Sequence, residues 1–138
     1  MNTTHVPPTS LTKRFAWLIE YAIICLVLVV VYDRALRGGF LIDDIQYIAD
    51  NKSITDTTNP WHFWTILEQI DYWPVFYSIL WTLWHLFGEN TTPYHLLNIA
   101  VHAANACLFG KILEAYGFKR SRLWAVVIFA LHPICVQS

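Results

Sequence analysis

Eighteen consecutive residues, Phe15 to Tyr32, contain a single side chain that is charged at neutral pH, Glu20. As a helix rising about 1.5 Å per residue, such a run covers about 27 Å, which with its flanks suffices for a hydrocarbon core of roughly 30 Å. It is read as a first membrane span, about 15–32. A cleaved signal peptide would have a shorter apolar region, about 7–15 residues, followed by a small-residue cleavage site, and this run fits neither requirement. Composition agrees: with 56% hydrophobic and 14% charged residues, the 138-residue chain is far more apolar than a soluble domain of its size. Glu20 lies within two turns of the end that follows Lys13-Arg14, so it is expected to reach the headgroups as a structural residue.

The remaining patterning gives the fold class: an all-α integral membrane chain with two to three transmembrane helices and an extramembrane loop. Residues 1–14 are a polar cytoplasmic tail carrying Pro7-Pro8, with no fold expected over 1–12. Residues 33–93 form an outer loop, lumenal or periplasmic, which from Asp33 to Trp73 sets Asp33, Asp43, Asp44, Asp50, Asp56, Glu68 and Asp71 against Arg34, Arg37 and Lys52. Gly38-Gly39 breaks the helix there, and Asn59-Pro60 restarts one.

Within the loop, helices are expected at about 61–70 and 74–87. Does the second one cross? Its 14 residues cover about 21 Å, short of a bilayer, and five of the seven tryptophans fall between 61 and 84, as befits the membrane–water boundary. Both helices are therefore read as interfacial. Counting basic residues leaves the crossing alternative open, and segment length decides against it. A second span follows at about 94–113, with Ala100, Ala103, Ala104, Ala106 and Gly110 permitting close helix contact. The basic group Lys119, Arg120 and Arg122 precedes a partial third span, about 123–138, which passes His132-Pro133.

Asp43-Asp44 is the strongest pointer to chemistry. Two adjacent acids beside a bilayer are costly unless a metal, a cation or a reacting proton uses them, the plain alternative being a solvated acidic loop. On the second span His95, Asn98, His102 and Asn105 share one helical face, which suits either a wet cavity or interhelical hydrogen bonds. His132 falls at the outer end of the third stretch. Asp43, Asp44, His95 and His132 are thus expected on one side, where they could hold a divalent metal, although no zinc-type spacing is present. Asn98 and His102 are assigned to packing.

Other patterns exclude more than they suggest. A formal net charge of −1 and the lack of a basic stripe argue against a nucleic-acid partner. Cys25, Cys107 and Cys135 lie in apolar stretches and read as packing residues. Asn2, Asn51 and Asn90 each head an Asn-x-Ser/Thr triplet, and the latter two fall in the outer loop.

Four blocks in order, Phe40-Leu-Ile-Asp43-Asp44, Tyr72-Trp73-Pro74, Tyr94-His95-Leu-Leu-Asn98 with His102, and Phe129-Ala-Leu-His132-Pro133, carry a family likeness over about residues 15–138. The chain resembles the N-terminal region of the GT-C membrane glycosyltransferases, most closely the O-mannosyltransferase-like proteins that join a multispanning domain to tetratricopeptide repeats. The resemblance implies a polyprenyl-phosphate sugar donor, a protein hydroxyl as acceptor, and the bilayer as a partner. It also implies that Asp43 or Asp44 is the catalytic base or holds a divalent cation, Mn or Mg, with Tyr72, Trp73, His95 and His132 toward the substrate. The Trp-rich helices would border the lipid donor. Two departures stand out. Trp73 occupies the place of the family's usual Arg before Pro, a cation suited to a lipid phosphate, and Gln137 stands where the family tends to carry Glu.

On this reading the chain is the opening section of a lipid-linked-sugar transferase, and as a fragment it would be inactive alone. A non-catalytic assembly segment or remnant, joined to other helices through its His/Asn face, is the competing reading. A metal or proton transporter using the buried histidines is the third, for which loss of flux in His102→Ala would be the sign.

Overall fold

The structure, a computed structural model, describes residues 10–65 and 72–132, with the side chains of residues 10–14 and 42 left aside. All regular structure among the described residues is helical. The helices are α1 (Ser10–Val31), α2 (Asp33–Leu36), α3 (Ile42–Asp44), a π-helical turn (Ile45–Ala49), α4 (Lys52–Thr55), α5 (His62–Thr65), α6 (Pro74–Phe87), α7 (Thr92–Ala115) and α8 (Arg122–Leu131). They divide into two compact units, Met1–Asp33 with Leu96–Ser138, and Arg34–His95.

The first unit is built on close helix approach. Ala103, Ala106 and Cys107 of α7 are fully buried, as is Leu28 of α1, while Val126 and Ala130 bring in α8. Tyr21 Oη donates to Ala100 O at 3.2 Å, and Tyr32 Oη donates to Leu131 O at 3.2 Å. Gly110 sets the closest contact: a Cβ there would lie 2.7 Å from Val126 Cγ2 and 3.2 Å from Arg122 Nε. We expect Gly110→Leu to push α8 away and to cost about 1–3 kcal/mol, read as a lower melting temperature of the detergent-solubilised protein. α7 ends in a Schellman motif: Phe118 N–H bonds Leu113 O at 2.9 Å and Gly117 N–H bonds Glu114 O at 3.0 Å, with Gly117 at φ 89°.

The second unit has an aromatic core. Ile48, Ile54, Phe63, Tyr77, Leu80 and Tyr94 are buried together, with Phe40, Tyr47, Trp81, Leu83 and Trp84 packed around them. Phe63 stacks on Tyr77 at 5.7 Å, and Trp81 Nε1–H donates to Thr57 O at 2.6 Å. Pro74 at the first position of α6 suits a helix start, where its missing N–H costs nothing. Because Phe63 is only 1% exposed, Phe63→Ala should cost about 3–5 kcal/mol, checked by denaturation of the purified protein.

Several expectations meet this fold directly. α6 has the bounds expected of it, and α7 extends the expected second span by two residues at each end. α7 is also the only helix among the described residues that is both long and apolar enough to cross a membrane, the apolar parts Phe15–Val31 and α8 being shorter. The tail ends earlier than expected, because α1 begins at Ser10 rather than after residue 14. Of the 61–70 helix, His62–Thr65 is helical, led by Asn59 Oδ1 accepting from Trp61 N–H at 3.0 Å, while 66–71 lie outside the described residues. The same holds for 133–138 of the third stretch, so Cys135 and Gln137 lie outside them as well. The outer-loop stretch around Asp43 is a run of short helices.

Candidate functional site

Gly38 and Gly39 end one helical stretch, and the chain must then restart at Ile42 with backbone donors that have no intrahelical acceptor. Asp44, third in α3, turns back and accepts the Leu41 N–H on Oδ2 at 3.0 Å. This is the reciprocal half of a capping box, with Asp in the place usually held by Glu or Gln. Asp43 is exposed and Asp44 half-buried. Neighbouring positions on a helix do not face one another, so the two carboxylates diverge. One acid organises the turn. The other stands in solvent on a backbone that the first one fixes.

Two aromatic contacts hold this turn. Just before it, Phe40 meets Tyr94 of α7 edge-on at 5.3 Å, and just after it Tyr47 meets Phe76 of α6 edge-on at 6.4 Å. Tyr47 sits in the π-helical turn, which Asp50 N–H to Ile45 O closes at 2.8 Å. Such turns are rare and recur at functional sites.

Phe76 belongs to an exposed aromatic ledge. Trp73 meets it edge-on at 5.9 Å, and Trp61 lies 6.5 Å from Trp64. Tyr72 Oη donates to Trp64 O at 3.2 Å, while Trp64 Nε1–H donates to Ser78 Oγ at 3.2 Å. Trp61, Trp64, Tyr72 and Trp73 remain 46–69% exposed despite these bonds. Asp43, Asp44, Tyr72, Trp73 and His95 therefore share the second unit. His95 is half-buried, and its Nε2 is buried with no hydrogen-bond partner. His132 belongs to the first unit, exposed at the C-terminal end of α8.

The metal ligands expected on Asp43 and Asp44 are available only in part. Among the described residues, no group of three or more His, Cys, Asp or Glu side chains is placed to hold an ion. With Asp44 Oδ2 on Leu41 and the carboxylates diverging, the pair forms no two-armed clamp.

The first unit corrects the expectation for Glu20. Its carboxylate does not run to a headgroup but accepts from Arg122 Nη2 on both oxygens, the Oε2 contact at 2.5 Å, with the two side chains 28% and 24% exposed. Glu114 Oε2 lies 3.8 Å from Arg122 Nε. The partners are 102 residues apart in sequence, beyond the reach of any local spacing rule. His102, by contrast, packs as expected: its Nε2–H donates to Ala130 O at 3.1 Å, and its ring stacks on Phe129 at 5.3 Å. That use of the ring is interhelical, in keeping with its assignment to packing.

Comparison with known proteins gives a relationship: the chain is similar to protein O-mannosyl-transferases. In particular, it is 31% identical over 133 residues to protein O-mannosyl-transferase TMTC3 of Mus musculus and 30% identical over 133 residues to the protein of that name from Homo sapiens. It is also 28% identical over 125 residues to protein O-mannosyl-transferase F38B6.6 of Caenorhabditis elegans. These alignments cover 86%, 86% and 80% of this chain, yet the chain spans only 14%, 14% and 18% of the relatives' lengths. No family model and no solved structure matches it.

Proposed function

We propose that this chain is the opening part of a membrane glycosyltransferase that moves a sugar from a polyprenyl-phosphate donor to a protein hydroxyl. The observation that carries the reading is the division of labour in the acidic pair, found in a chain similar to protein O-mannosyl-transferases. Asp43, exposed on a turn that Asp44 holds, takes the proton of the acceptor hydroxyl. The hydroxyl oxygen then bonds the anomeric carbon, and the bond from that carbon to the donor phosphate oxygen breaks. Polyprenyl phosphate leaves with the electron pair. A magnesium or manganese ion, if bound, would neutralise donor phosphate charge with Asp43 as one protein ligand, and no step here depends on it.

Exposure of apolar surface supports the membrane part of the proposal. Leu18, Ile19, Ile23, Leu26 and Val30 of α1 and Trp124 and Ile128 of α8 are each more than half exposed, as expected of helices that meet lipid or further helices. α6 has a core face, Tyr77 and Leu80, and an exposed apolar face, Val75, Phe76, Ile79 and Leu86, which suits a helix lying along the interface beside a lipid donor. In this arrangement the N-terminus is cytoplasmic, and the unit carrying Asp43 faces the lumen. Transfer of labelled mannose from a polyprenyl-phosphate donor to an acceptor polypeptide, by the full-length protein and its Asp43→Asn variant, tests the proposal. Loss of transfer is expected.

One observation favours a second reading, that of a non-catalytic assembly segment. Trp73 stands where the resembled family has an Arg suited to a lipid phosphate, and its ring is engaged with Phe76. On that reading the protein has no transfer activity to lose, and both Asp variants assemble normally.

A further inference from the structure

We infer that Asn51 is an N-glycan acceptor and that Asn90, the other triplet asparagine in the same unit, is not. The inference rests on the proposed lumenal orientation of residues 33–93. Asn51 heads Asn51-Lys52-Ser53 and is the N-cap of α4, its Oδ1 accepting from Ser53 N–H at 3.0 Å. That bond uses the carbonyl oxygen and leaves Nδ2 outside the cap. Replacing one Nδ2 hydrogen by a sugar therefore keeps the acceptor that α4 needs. Lys52 beside it is exposed, while Ile54, fully buried, ties the turn to the unit's surface.

Turn geometry alone does not separate the two sites, since Asn90 Oδ1 likewise accepts from Thr92 N–H at 3.2 Å. Distance from the bilayer does. α7 begins at Thr92, two residues past Asn90, and its apolar stretch starts at Tyr94. Two extended residues and a helical step lift Asn90 at most about 10 Å above that stretch, barely beyond a headgroup layer of roughly 5–8 Å per side. The triplet is also folded onto its own unit: Thr91 Oγ1 donates to Gly38 O at 2.6 Å and Thr92 Oγ1 to Leu36 O at 3.4 Å, with Pro93 stiffening the far side. Asn51 follows Tyr32, the end of the first apolar run, by nineteen residues. Those nineteen residues are folded as α2, α3 and the π-helical turn, and no span begins or ends within a few residues of Asn51 on either side, unlike Asn90.

The co-reactant is an oligosaccharide carried on a lipid diphosphate, with the membrane enzyme that transfers it. Asn51 Nδ2 bonds the anomeric carbon, and the bond from that carbon to the diphosphate oxygen breaks. The lipid diphosphate departs with the electron pair, and the Nδ2 proton passes to a base of the transferring enzyme. Nothing is oxidised or reduced.

The full-length protein, expressed in animal cells and treated with peptide:N-glycosidase F, is expected to gain mobility by a shift that includes the step of one glycan on Asn51. Asn51→Gln and Ser53→Ala should each abolish that step, Ser53→Thr should keep it, and Asn90→Gln should leave it unchanged. Loss of the step in Asn90→Gln, or its survival in Asn51→Gln, would overturn the inference. Asp56→Asn in the Asn51→Gln background supplies an alternative acceptor triplet with Thr57 and Thr58. If this variant is glycosylated while the unaltered protein is not, the lumenal orientation stands and the assignment of Asn51 falls. If neither is glycosylated, orientation and assignment fall together.

Discussion

Asp43→Asn is expected to lower sugar transfer by the full-length protein by about 10²–10⁴-fold, the usual range for loss of a general base, while its melting temperature stays unchanged. The exposed Asp43 carboxylate has no part in the cap, so Asn replaces it without disturbing the turn. Asp44→Asn should behave differently. An amide oxygen can still accept the Leu41 N–H that Asp44 Oδ2 now accepts at 3.0 Å, so transfer should stay within several-fold of the unaltered protein. Asp44→Ala removes that acceptor and should cost about 0.5–2 kcal/mol together with part of the activity, through displacement of Asp43. Kinetics on the three variants, each accompanied by a thermal melt, separate these roles. Equal loss in Asp43→Asn and Asp44→Asn, or full activity in Asp43→Asn, would refute the assignment.

This distinction within the pair could not be read from the sequence, where Asp43 and Asp44 differ only in order. It depends on the helix starting at Ile42, which puts Asp44 at the third position and Asp43 at the second, and helix starts are the least constrained feature of a pattern. Long apolar elements were more legible. Pro74 and Gly88 bracket α6, where a proline start and a glycine stop act locally, and α7 is legible from the length of its apolar run. The short helices between Asp33 and Thr55 leave no signature in the sequence because none is long enough to show a period. Their stability comes from Ile48 and Ile54 entering a core completed by Phe63, Tyr77 and Tyr94, residues up to 46 positions away. The ledge was legible as a surplus of tryptophan, whereas the link from Tyr47 to Phe76 was not, since a contact between rings 29 residues apart leaves no spacing signal.

Within the first unit, Glu20 and Arg122 give the largest expected effect on stability. Each satisfies a charge that an apolar helix bundle would otherwise leave uncompensated, and both side chains are about a quarter exposed. Arg122→Met removes the cation and leaves the Glu20 carboxylate among Ile19, Ile23 and Val126 at the edge of an apolar groove of about 400 Å³ between α1 and α8. A fully buried pair broken on one side costs about 3–5 kcal/mol, and partial exposure reduces this to about 2–3 kcal/mol. Glu20→Gln should cost less, because Gln can still accept from Arg122 Nη2 and because Glu114, 3.8 Å from Nε, supplies a second carboxylate. Replacing both at once, Glu20→Leu with Arg122→Met, should restore much of the loss in Arg122→Met, since two apolar side chains carry no desolvated charge. Melts of the solubilised single and double variants measure the coupling. If the double variant is as unstable as the sum of its singles, the pair does not join α1 to α8 in the way the structure indicates.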